Sequence, residues 1–90
     1  MKKYNKEIRK KLKELATLVW KRELDQYVEE LAKRFDEWRE KKIDCFEINE
    51  YIHKFHDGPS RELWKKHNYF KADMIVAIGL ESGILKNPGF

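Results

Sequence analysis

The chain has 90 residues, of which 40% are charged, 41% hydrophobic and 13% aromatic, with four Gly, two Pro and a net charge of +4. That is one small domain, with too many large apolar residues for a disordered chain and too few turn-formers for an all-β one. A single cysteine, Cys45, excludes an internal disulfide and a cysteine-based zinc cage.

The charge is uneven. Residues 1–13 carry seven basic side chains (Lys2, Lys3, Lys6, Arg9, Lys10, Lys11, Lys13) against one acid, Glu7, while the remaining 77 residues hold 13 basic and 15 acidic groups. No apolar run reaches the ~18 residues of a membrane span, and no signal-peptide core follows the lysines. A soluble, cytoplasmic protein is expected.

From about residue 4 to 41 there is neither Gly nor Pro, and Glu7–Lys11, Glu29–Lys33, Glu30–Arg34 and Glu37–Lys41 are i,i+4 pairs in the favourable order. This predicts a long N-terminal helix. Its apolar stripe shifts: Ile8, Leu12, Leu15 and Val19 share one face. Trp20, Leu24, Tyr27, Leu31, Phe35 and Trp38 share another, rotated by roughly 140°. Either the helix breaks near 20–25, or one continuous helix shows two faces to two partners. The absence of a breaker favours continuity.

Asp44 and Glu47 fit a capping box, with Ile43 and Ile48 at staple positions, so a second helix is predicted over about 45–56. It should bury Cys45, Ile48, Tyr51, Ile52 and Phe55, leaving Cys45 an inert thiol. Asp57-Gly58-Pro59-Ser60 should end it, with Gly58 left-handed and Ser60 capping a third helix over about 60–67. A fourth helix, about 71–82, is apolar nearly all round and should be buried on most sides. Gly83 closes it, Gly79 allows a close crossing, and the tail 86–90 should fray. The expected fold is an all-α helical bundle in a single domain. Its surplus apolar faces imply a homodimer with Ile8, Leu12, Leu15 and Val19 at the interface.

The stretch 52–63, "IHKFHDGPSREL", has the densest chemistry. Glu50 and His53 form Glu-x-x-His, a spacing used in helix-bundle metal sites, and His56 and His67 are further candidate ligands, with Glu62 as another. The ligand set is incomplete, so no metal or other cofactor is expected. The simpler reading is a partly buried polar corner of His53, His56, Asp57, Arg61 and Glu62 that joins helices. Ser60 beside His56 and Asp57 suggests a catalytic triad, but adjacent residues at a helix end need not face one another.

Two other motifs compete with ordinary structure. Asp36, Ile43, Asp44 and Glu47 match positions of a calcium-binding loop, whereas Trp38 and Lys41 stand where that loop needs an oxygen ligand and glycine. Residues 44–67 could form a helix-turn-helix reading DNA through Arg61, Lys65, Lys66, His67 and Asn68, but its basic face is weak. The seven basic residues of 1–13 offer phosphate or anionic lipid a surface without sequence readout.

Over residues 35–63, "FDEWREKKIDCFEINEYIHKFHDGPSREL", the chain resembles a group of small, uncharacterised bacterial helical proteins. Their shared core reads roughly Phe-x-x-Trp, Ile-x-x-Phe-Glu, Ile-His-x-Phe-His-x-Gly and Arg-Glu-Leu. In them Gly and then an acid often stand where Lys41 and Lys42 are here. The resemblance marks the His/Gly/Arg/Glu segment as a signature of the group and implies no activity. The function expected is a non-enzymatic, homodimeric interaction or regulatory module with an unknown protein partner. Nucleic-acid binding through the N-terminal helix is the alternative, and metal binding at His53 and His56 a third.

Overall fold

A computed structural model describes residues 4–85. It is all-helical, with no strand among the described residues. Helix α1 runs unbroken from Lys6 to Arg39. At 1.5 Å per residue its 34 residues span about 51 Å, nearly the whole 54 Å long axis of the molecule. Asn5 caps its start, the side-chain oxygen accepting from the Ile8 N–H at 2.8 Å. Its end is a Schellman turn: Lys42 N–H donates to Glu37 O, Lys41 N–H to Trp38 O, and Lys41 takes φ +62°.

Helix α2, Cys45–Phe55, opens on the expected capping box, with Asp44 Oδ1 accepting from Glu47 N–H at 2.8 Å and Glu47 Oε1 from Asp44 N–H at 3.3 Å. The expected break after α2 is absent. His56–Ser60 forms a π-helical turn that runs directly into α3, Arg61–Tyr69. Phe55, His56, Ser60 and Arg61 all keep right-handed helical angles, φ between −59° and −68° and ψ between −41° and −49°. Gly58 is not left-handed, and Ser60 makes no capping hydrogen bond. Pro59 lacks the N–H that an α turn would use and its ring crowds the carbonyl four residues back. A wider turn relieves both demands without ending the rod.

Phe70 and Lys71 are extended, and α4 follows over Ala72–Ser82, closed by Gly83 at φ +83°. The chain then folds back, and Leu85 N–H donates to Gly79 O at 2.9 Å.

Three rods therefore pack together, with α1 as the spine. Helix α4 lies on the N-terminal half of α1, and the α2–π–α3 rod lies against the rest. The buried cluster is Leu15, Ala16 and Val19 of α1 with Ile75, Val76 and Leu85, flanked by Leu12, Leu18, Ala72 and Ile84. The two stripes of α1 thus meet two partners, but both partners belong to the same chain. This corrects the expected interface: α4 covers Leu15 and Val19 and Leu12 packs on the same core, which leaves only Ile8 of the four largely exposed. Nor is α4 buried all round, since Met74 on its outer side is 51% exposed. In α2, Ile48 is buried and Phe55 half-buried, while Tyr51, Ile52 and Cys45 are exposed. Cys45 stands about 70° from the line set by Ile48 and Phe55 and turns out into solvent.

The result is open. The radius of gyration is 16.9 Å, against about 12 Å for a compact domain of this length. The accessible surface is 7479 Å² for an 11.0 kDa chain, where a compact monomer would expose about 5600 Å².

Candidate functional site

The continuity of the α2–π–α3 rod decides the fate of the 52–63 segment. A corner would have gathered its polar side chains; a rod fans them outward. His53, His56, Asp57, Arg61 and Glu62 are all exposed, and among the described residues no side chain of the five is hydrogen-bonded or ion-paired to another of them. The expected polar corner is not formed. Ser60, His56 and Asp57 share no hydrogen bond either. His56, Ser60, Arg61 and Trp64 line only an open surface hollow.

The candidate metal ligands are likewise dispersed. Among the described residues no group of three His, Cys, Asp or Glu side chains stands close enough to hold an ion. Glu50, His53 and His56 face solvent, and His67 points at α1. The calcium-loop reading fails for a related reason, because Asp44 and Glu47 spend their oxygens on the capping box and Asp36 stands 3.6 Å from Arg39. Beside it the Glu40 carboxylate, hydrogen-bonded to Lys42 at 3.0 Å, raises the pKa of that ammonium. The helix-turn-helix reading fails because there is no turn.

The polar cluster that the fold does build joins α1 to α3. Glu23 accepts from Lys66 Nζ at 2.5 Å and from His67 Nε2 at 3.1 Å. The carboxylate can only accept, so His67 places its proton on Nε2. The His67 side chain is 2% exposed, and its ring stacks on Trp20 with centroids 5.2 Å apart and planes 3° from parallel. Two donors on one shielded carboxylate make a directional tie between helices. Sequence reasoning missed it, since Glu23 and His67 are 44 positions apart. One signal was available: Lys66 and His67 stand three and four residues after Leu63, which puts them on the buried face of α3.

At the other end of α1, Lys6, Arg9, Lys10, Lys11 and Lys13 are all exposed; Lys2 and Lys3 lie outside the described residues, as does the tail 86–90. Nearby, Tyr4 Oη donates to Asp73 Oδ2 at 3.1 Å, which ties the start of the chain to the first turn of α4. That hydrogen bond, with desolvation and the Asp73 charge behind it, raises the phenol's pKa. Downstream, Arg22 Nη1 donates to Ile84 O at 2.8 Å and holds the chain after α4 against α1.

No helix among the described residues is long and apolar enough to cross a membrane. No protein-family model, curated protein or solved structure matches the chain, so the residues themselves carry the functional reading.

Proposed function

We propose that the protein is a non-enzymatic helical interaction or regulatory module that works as a homodimer, with the outer face of α4 as the contact. One observation carries the reading. Met74 and Ala77 stand at i and i+3 on the side of α4 turned away from the Ile75–Val76–Gly79 core, with the half-buried Ile78 at its flank, and no described residue covers Met74 or Ala77. Ala77 at the centre lets a second helix approach closely, and Met74 is a side chain that adapts to what it meets.

Native mass spectrometry tests this. The protein is expected at twice its 11.0 kDa chain mass, and Met74→Glu with Ala77→Glu should return it to one chain with its helix content intact. A wild-type protein found only as single chains would overturn the proposal.

A further inference from the structure

The first turns of α1 carry a second, separate surface. At 100° per residue Lys6, Arg9, Lys10 and Lys13 fall within an arc of about 100°, and all four are exposed. Glu7 and Glu14 lie outside the arc. The arc is the forward continuation of the face that carries α3 and α2 from Trp20 onward. The rod stops short of it, so among the described residues nothing covers this face where it is most basic.

From Lys21 onward most cations of α1 and the loop that follows it are matched by acids, in Lys21–Asp25, Lys33–Glu30, Arg34–Glu37, Arg39–Asp36 and Lys42–Glu40, while Arg22 is held by the Ile84 carbonyl. Among the described residues none of the four arc cations is in such a pair. At the foot of the arc the end of α3 adds aromatic surface. Phe70 shares a groove with Lys13, Thr17, Trp20 and His67, and the neighbouring Tyr69 is 81% exposed.

From this juxtaposition we infer that the N-terminal face of α1, with Phe70 at its foot and the exposed Tyr69 next to it in the chain, is a docking surface for single-stranded nucleic acid. The unpaired cations follow the phosphates, and the exposed rings stack on unpaired bases without reading sequence. An anionic membrane fits less well. A surface-lying helix must bury its apolar face in lipid, and the apolar face of α1 is occupied by α4. A duplex would offer no free base to the rings.

The test uses the full chain and a fluorescent oligo(dT), followed by anisotropy over a salt series. Four phosphate contacts give a slope of log affinity on log salt of about −3 on a single strand. Replacing Lys6, Arg9, Lys10 and Lys13 together by Gln should flatten that slope and lower affinity at least about tenfold. A control with Lys21, Lys33, Arg39 and Lys42 changed to Gln carries the same net charge and should bind like wild type. Tyr69→Ala and Phe70→Ala should each weaken oligo(dT) about fivefold or more while leaving inorganic polyphosphate binding unchanged. The inference is overturned by no binding at low salt, by equal losses in the control, by ring variants that bind oligo(dT) normally, or by a preference for duplex or phosphatidylserine vesicles. Should the arc variant misfold by circular dichroism, the ring variants alone decide.

Discussion

Gly79 of α4 passes so close to Val19 of α1 that a Cβ built on the glycine would lie 2.6 Å from Val19 Cγ2, with Leu85 Cδ1 at 3.2 Å. Val19 is the most deeply buried side chain of the core, at 1% exposure, and its β-branched side chain has little freedom to swing aside. Gly79→Ala should therefore destabilise the protein. Overpacking costs about 1–3 kcal/mol, and the better helix propensity of alanine offsets at most about 1 kcal/mol of it. Urea denaturation should show a net loss, and Gly79→Val a larger one. An unchanged midpoint for Gly79→Ala would mean that the two helices do not approach this closely.

Gly58 gives the opposite sign. It sits in a right-handed π turn, and a Cβ there would meet nothing within 4 Å. Gly58→Ala should stabilise by about 0.5–1 kcal/mol, mostly by narrowing the unfolded ensemble. A left-handed helix cap at this position would lose about as much. A single denaturation curve thus separates a continuous rod from a corner.

That contrast shows where the sequence was legible. Helix identity followed from local rules: the breaker-free run to about residue 41, of which the helix takes all but the last turn residues, the Asp44/Glu47 box, and Gly83 as a stop. The two-faced stripe of α1 was readable too, because periodicity reports that a face is covered. It does not report by which chain, so Leu15 and Val19 were assigned to a second molecule when α4 covers them. Asp57-Gly58-Pro59-Ser60 misled for a physical reason. Pro59 opposes a regular α turn and Gly58 weakens one, but neither excludes a π turn, and only the packing of Ile48 and Leu63 on the same side of one rod decides between stopping and widening. The histidines followed that error: His53 and His56 were drawn into a corner that does not exist, and His67, the buried one, was counted only as a metal ligand and a DNA contact.

The Glu23 cluster should be more sensitive than any residue of the 52–63 segment. Glu23→Ala leaves the shielded His67 Nε2–H and Lys66 Nζ without their common acceptor. A loss of about 1–3 kcal/mol is expected, in the range for hydrogen bonds to charged groups and for a shielded donor left unpaired. His53→Ala and His56→Ala, at exposed positions, should stay within about 0.5 kcal/mol of wild type. If the histidine variants cost more than Glu23→Ala in thermal or chemical denaturation, the polar tie lies elsewhere.

The tie between Tyr4 and Asp73 makes a prediction about pH. The neutral phenol donates to the carboxylate, and the Asp73 hydrogen bond, with desolvation and the carboxylate's charge, raises the folded-state pKa of Tyr4. Its unfolded value is about 10. Below that pH both states hold the proton and the contribution is fully present. As the pH rises past about 10 the unfolded state ionises first, so unfolding is favoured, and the contribution is gone once the folded pKa is passed. Stability followed by circular dichroism during alkaline titration should therefore fall in the wild type toward the level of Tyr4→Phe, which lacks the donor at every pH and has no such contribution to lose. The difference between wild type and Tyr4→Phe should be constant at neutral pH and should vanish above the folded pKa. A difference that persists unchanged into strong alkali would mean that the ring's packing, and not its hydroxyl, holds the N-terminus to α4.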